Sequence, residues 1–195
     1  GDAREEVGTY GRPTWFDRSA EEHAAVRSDV GLFDLSSFAK FEVAGPGALA
    51  VLQELSTANI DVAAGRIVYT QWLDEWGGIV ADLTLTRPGD ERFLVLTAPA
   101  CASVTDVTGT LALVSVMGPR SRDLLAGLTD ADLSDAAFPF GESREIDLGL
   151  GFVRATRITY VGELGWELLV PWELAEHVWD TVREAGARPC GYYAL

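Results

Sequence analysis

Apolar and polar positions alternate most plainly in Ile79–Arg87. Ile79, Ala81, Leu83 and Leu85 share one face of an extended segment, and Val80, Asp82, Thr84 and Thr86 share the other. The pattern predicts a strand with one face in the core and a second, mostly polar face headed by Asp82, which is either wet or lines a pocket. Tyr69–Leu73 before it and Arg92–Thr97 after it also read as strands. Asp74-Glu75-Trp76-Gly77-Gly78 and Pro88-Gly89-Asp90-Glu91 supply the turns between the three.

Around this meander the period changes. Ala20–Ser28 reads as a helix, and Pro171 opens another, Trp172–Ala185, whose Ala175, Val178, Trp179 and Val182 fall on one stripe. Arg154–Tyr160 and Trp166–Val170 form a hairpin around Val161–Gly165. One internal echo stands out: Phe41–Pro46 leads into Ala48–Leu55 as Val114–Pro119 leads into Ser121–Leu128. Both read strand, Gly-Pro, helix, with the proline at the first helical position, where its missing N–H is harmless. The echo is either two related βα units or a coincidence in a common motif; two copies are too few for a solenoid. The order α, βα, β-meander, βα, β-hairpin, α describes an α+β protein with mostly antiparallel sheet.

With 195 residues and 48% hydrophobic composition the chain can bury a core, as one domain or two small ones. No apolar run approaches the roughly 18 residues of a membrane span, and no signal-peptide pattern opens the chain. Gly1–Glu6 is polar, as a domain edge would be. Cys101 and Cys190 lie far apart without paired spacing, which argues against a disulfide framework or a zinc site and fits a reducing, cytoplasmic setting. The net charge is 15 − 30 = −15, so the chain repels phosphate backbones and acidic membranes; no nucleic acid and no membrane are expected as partners. Its basic residues are fourteen Arg and a single Lys, Lys40.

No GxGxxG and no phosphate loop are present, so no dinucleotide site is visible. His23 and His177 each stand alone on expected helices, which predicts surface or packing roles and no metal. No Ser/His/Asp set is recognisable. What remains is Asp82, Tyr69 and the stretch Tyr160-Val161-Gly162-Glu163-Leu164-Gly165-Trp166-Glu167. Taken singly, Asp82 reads as a solvated strand residue and Glu167 as half of a cross-strand ion pair with an arginine. Together they favour a site, because acids are depleted in strands. A carboxylate is acceptor-only, so a buried Glu167 needs donors, and a flat ligand with neighbouring N–H groups would supply them.

At these residues the sequence resembles the folate-dependent aminomethyltransferase family, founded on the glycine cleavage T-protein. It is closer still to the C-terminal folate domain of FAD-dependent dimethylglycine and sarcosine dehydrogenases. The resemblance rests on Val30–Pro46, Tyr69-Thr70-Gln71, Gly77–Asp82, Val104–Thr108, Met117–Ser121 and Tyr160–Glu167, in family order from about residue 13 to the end. It implies a folate-binding fold with two interleaved subdomains, approximately 30–100 and 104–195. It further implies that Asp82 is catalytic, lying beside folate N10, that Glu167 binds the pterin edge, and that Tyr160 and Tyr69 line the pocket. Thr84, beside Asp82 on the polar face, joins the cofactor-binding set. The chemistry is coherent: a pterin presents N3–H and N2–H2 side by side, and one carboxylate accepts both. A one-carbon unit carried between N5 and N10 is cationic, and an ionised Asp82 can stabilise it or move its proton.

The implied function is tetrahydrofolate-dependent one-carbon transfer coupled to oxidative demethylation of dimethylglycine or sarcosine. FAD would sit, if at all, in a separate flavin dehydrogenase domain or subunit. Alternatives are a non-catalytic folate- or protein-binding module of the same fold, and a demethylase acting on a sulfonium or methoxy donor. Family members carry a longer helix where only Ala98–Ser103 stands between Thr97 and Val104, and they continue past Leu195 into an Arg-rich helix and a β-domain that this sequence lacks. The 195 residues are therefore expected to be a partial folate region whose competence alone is open.

Overall fold

The computed structural model describes residues 16–97 and 105–195. After helix α1 (Phe16–Ser28) come strands β1 (Gly31–Asp34) and β2 (Ala39–Ala44), helix α2 (Ala48–Leu55), and the meander β3 (Arg66–Leu73), β4 (Ile79–Gly89) and β5 (Arg92–Thr97). Then follow β6 (Thr105–Asp106), β7 (Leu111–Met117), α3 (Ser121–Ala126), β8 (Ser143–Leu148), β9 (Gly151–Thr156), β10 (Gly165–Pro171), α4 (Ala175–Glu184) and β11 (Arg188–Pro189). Two sheets result, one of five strands ordered β3-β4-β5-β2-β6 and one of six ordered β11-β1-β7-β10-β9-β8. Among the described strand pairs only β1–β11 is parallel, as the mostly antiparallel α+β reading expects.

The two-residue period sorts each strand between layers. On β4, Ala81, Leu83 and Leu85 join Phe93 and Val95 of β5 against Ala48 and Leu52 of α2. On β10, Trp166, Leu168 and Val170 pack with Val114 and Val116 of β7 beneath Leu125 of α3 and Val178 and Val182 of α4. The remaining faces meet each other: Leu94 and Leu96 of β5 share a buried cluster with Phe33, Leu113, Met117 and Leu169. The order is therefore α2, five-stranded sheet, six-stranded sheet, α3 and α4. The polar face of β4 and the Glu167 side of β10 both look into the space between the sheets.

The internal echo is a shared turn. Gly45 and Gly118 adopt φ of 123° and 130°, and the amides of Ala48 and Ser121 each bond the glycine carbonyl at 3.0 Å. Positive φ is the region glycine enters at no steric cost. The helices begin at Ala48 and Ser121, so Pro46 and Pro119 belong to the turns and not to the first helical position. Likewise Pro171 ends β10, and a 3-10 turn over Trp172–Leu174 precedes α4, which starts later than its stripe suggested.

Ile79 is 68% exposed and does not share the burial of Ala81, Leu83 and Leu85, because it adjoins the turn at the end of the hairpin. Strand β9 stops at Thr156, leaving Tyr160 in a loop. The pattern also passed over β8, β1, β6 and β11. Strand β1 sits in the six-stranded sheet, and β6 crosses to the five-stranded one. No helix among the described residues is long and apolar enough to cross a membrane. Gly1–Glu6, Ala98–Ser103 with Cys101, and Val104 lie outside the described residues.

Candidate functional site between the sheets

Asp82, Glu167, Tyr160, Tyr69 and Thr84 line one cavity of ≈ 360 Å³, with Phe38, Phe140 and Thr159 among the residues completing its wall. The β3–β4 register sets one side. Tyr69 lies opposite Thr84 and Gln71 opposite Asp82, which puts all four side chains on the inner face of the five-stranded sheet. Gln71 Nε2 donates to Asp82 Oδ1 at 3.2 Å, fixing one oxygen of an otherwise exposed carboxylate. Asp82 in turn holds the Tyr69 phenol above the usual tyrosine pKa. Tyr69 and Tyr160 are 58% and 80% exposed, so they form the mouth.

Glu167 enters from the opposite sheet, on the alternation that sends Trp166 and Leu168 into the core. Burial pushes its carboxyl pKa up to about 7. Removing a carboxylate from water penalises its charged form. Among the described residues no side chain donates to it. The cross-strand ion pair is absent: Arg154, the nearby strand arginine of β9, pairs with Glu145 at 3.4 Å. A desolvated acceptor without a donor is costly in a finished fold, and this one faces a cavity.

The rest of the wall is tied down by cations. Arg157 Nη1 donates to Phe138 O at 2.8 Å, and the backbones of Arg157 and Gly141 bond at 2.9 Å, clasping the Phe140 segment to the one carrying Ile158, Thr159 and Tyr160. The Arg157 and Arg122 guanidiniums lie 5.8 and 5.9 Å from the Trp166 ring centroid, and Asp135 pairs with both at 2.6 and 2.5 Å. Trp166 therefore serves the core where its neighbour Glu167 serves the cavity. Behind Phe38, the buried Lys40 donates to Ser36 O and Phe38 O at 2.9 Å each. Burial lowers the Lys40 pKa while Asp34 and Asp106 pull it back up.

Sequence reasoning missed Phe38, Gln71 and Phe140. A phenylalanine between Pro139 and Gly141 in a turn-forming stretch was the available signal for the last. The other candidates stand apart from the site. His23 is exposed on α1, and His177 Nε2 accepts from the Leu150 amide at 3.2 Å. Among the described residues no three His, Cys, Asp or Glu side chains converge as a metal site would require. Burial pushes the Cys190 thiol up to about 11. A larger cavity of ≈ 520 Å³, between α3 and the end of α4, is lined by Asp29, Arg120 and Asp123 but by none of the catalytic or cofactor-binding candidates read from the sequence.

The GCVT N-terminal domain matches residues 2–195. The chain belongs to that family. It is 44% identical to the 4-methylaminobutanoate oxidase (formaldehyde-forming) of Paenarthrobacter nicotinovorans, over 96% of this chain and 25% of that protein. It is 32% identical to the mitochondrial pyruvate dehydrogenase phosphatase regulatory subunit of Mus musculus, over 99% of this chain and 25% of that protein. The crystal structure of the glycine cleavage system aminomethyltransferase T from Bartonella henselae superposes with a TM-score of 0.76 at 25% identity, covering 90% of this chain and 52% of that one. The GCVT domain thus spans about a quarter of the first two relatives and about half of the solved chain. Its two sheets and helices are those of an aminomethyltransferase-like domain.

Proposed function

We propose that the cavity between the sheets seats tetrahydrofolate and that the domain takes part in one-carbon transfer. The observation that carries this is the Glu167 carboxylate: desolvated, unpartnered, and facing an open cavity across from Asp82. The residues fit the group. Two parallel N–H donors on a pterin edge match a carboxylate that has none, and Tyr69, Tyr160 and Phe140 offer flat apolar surface at the mouth. Bound folate would supply the nitrogen that accepts the one-carbon unit. Glu167 would orient it, and Asp82, held by Gln71, would carry or stabilise the charge at the reacting nitrogen. The one-carbon unit would come from oxidative demethylation of an N-methyl amine, dimethylglycine or sarcosine among the candidates, in a flavin-bearing region or subunit. Similarity to an oxidase whose name records formaldehyde formation supports a donor at that oxidation level.

Isothermal titration with tetrahydrofolate is the test, with Glu167→Gln as the control. Binding by the parent and at least a tenfold loss in the variant is the expected result; absence of binding to a folded protein refutes the reading. A second reading, a domain that binds folate or a protein without chemistry, draws on the relative named as a phosphatase regulatory subunit. The rate at which formaldehyde and tetrahydrofolate give the methylene derivative, with and without the protein, separates the two, since only a transferase raises it above the spontaneous condensation.

A further inference from the structure

Glu167 lies in the middle of a transverse row of hydroxyls. Its register partners are Ser115 on β7 and Thr156 on β9, and Thr156 is in turn opposite Ser143 on β8. Directly opposite residues on an antiparallel pair share a face, with Cβ atoms about 4.5–5.5 Å apart. Ser115, Thr156 and Ser143 are 0%, 4% and 2% exposed, so these three hydroxyls are sealed from water on the inner face of the six-stranded sheet. Thr156 Oγ1 donates to Ser143 Oγ at 2.9 Å, which commits the Thr156 proton. Ser115 Oγ has no partner.

That orphan is the informative atom. The β7 side chains on either side of Ser115 on the same face, Leu113 and Met117, are apolar and pack in the inter-sheet cluster. An alanine at 115 would fit that surface without burying a hydroxyl, whose desolvation without a bond costs about 1–3 kcal/mol. The neighbouring carboxylate also lacks a donor, and the register sets the two residues directly opposite each other on one face. We infer that Ser115 is a positioning residue that stands beside Glu167 and holds its carboxylate in one orientation toward the cavity. Ser115 donates directly. One fixed hydroxyl leaves the outward lone pairs of the carboxylate for a ligand and restricts its rotation before the ligand arrives.

The inference rests on the folate reading only for the identity of the ligand; the orientation of Glu167 is testable without one. The titratable groups that face Glu167 are Asp82 and Tyr69 from β3–β4 and Tyr160 from the β9–β10 loop, all across the cavity. Its own row offers hydroxyls alone. In the ligand-free protein, 13C-glutamate NMR, with the Glu167 resonance assigned by its absence in Glu167→Gln, should show the Glu167 titration midpoint raised by about one pH unit in Ser115→Ala and restored in Ser115→Thr. Ser115→Cys, close in volume but only a weak donor, should raise it in the same direction and serves if Ser115→Ala does not fold. An unchanged midpoint in both Ser115→Ala and Ser115→Cys overturns the inference. Tetrahydrofolate titration follows on the same samples. If no variant or parent binds folate but the midpoints move, the positioning role stands and the folate reading falls. If the parent binds and the midpoints do not move, the positioning role falls alone.

Discussion

Asp82 and Glu167, 85 positions apart in sequence, reach the same cavity from opposite sheets, each by the strand alternation that buries its neighbours. Ala81 and Leu83 hold Asp82 toward the six-stranded sheet; Trp166 and Leu168 hold Glu167 toward the five-stranded one. Their environments differ. Asp82 is exposed and hydrogen-bonded by Gln71, whereas Glu167 is desolvated and has no donor among the described residues. Two acids in one cavity with such unlike surroundings suit two tasks, one acting on charge and one on orientation.

The first prediction separates those tasks. Asp82→Ala should leave tetrahydrofolate affinity within a few-fold while lowering one-carbon transfer by about 10²–10⁴-fold, the usual contribution of a positioned proton-transfer group. Titration calorimetry and transfer assays on the same protein check it. Survival of transfer would mean that Asp82 has been given the wrong role.

Glu167 makes stability depend on pH in a direction opposite to that of most carboxylates. Its pKa is about 7 in the fold against 4.5 for the free side chain, so between those values the folded state holds a proton that the unfolded chain has released. Stability therefore falls as pH rises from about 4.5 to about 7 and is level above that. Glu167→Gln removes the effect. The variant should match the parent near pH 4.5 and exceed it by up to about 3 kcal/mol at pH 8. Urea unfolding across that range measures the gap.

The same proton must leave when a ligand with two N–H donors pairs with the carboxylate. At pH 6 tetrahydrofolate binding should release about one proton, and at pH 8 almost none, since the group is already ionised. Calorimetry in buffers of different ionisation enthalpy reads the number directly. Uptake of a proton would contradict the assigned pairing.

Much of this was legible in the sequence because burial imposes a period. The 79–87 alternation gave the polar face of β4 and its Asp82, with only Ile79 escaping because it adjoins the hairpin turn. Strand β8 was missed because Arg144, Glu145 and Asp147 interrupt its Ile146 and Leu148, as a strand at the edge of its sheet permits. Strands β6 and β11 are two residues long, too short for any period to show. Ser115 is the lone hydroxyl in an otherwise apolar run, Leu111–Met117, a signal that the sequence does carry. What no sequence pattern carries is register. That Ser115, Glu167, Thr156 and Ser143 form one row follows only from how β7, β10, β9 and β8 align.

Trp166 tests the division of labour inside the signature. It is fully buried, edge-on to Phe138 at 6.3 Å between ring centroids, and flanked by Arg122 and Arg157. Trp166→Ala should cost about 3–5 kcal/mol by denaturant unfolding, as large aromatic truncations in cores do. Trp166→Phe should cost less, because the indole N–H has no partner and leaves with the ring. A cavity effect without a stability effect would mean that the tryptophan acts on the ligand and not on the fold.

Lys40, one lysine against fourteen arginines, closes the set. Its ammonium is buried and donates to the carbonyls of Ser36 and Phe38, stapling the turn that presents Phe38 to the cavity. Methionine matches the stem but offers no donor, and each unpaired buried carbonyl costs about 1–3 kcal/mol. Lys40→Met should therefore destabilise the fold by at least about 2 kcal/mol and speed amide exchange across Asp34–Ala39. Arginine keeps the charge but has a planar fork too wide for the two carbonyls of one tight turn, so Lys40→Arg should not restore the parent stability. Full rescue by arginine would show that charge alone, through Asp34 and Asp106, is what this position requires.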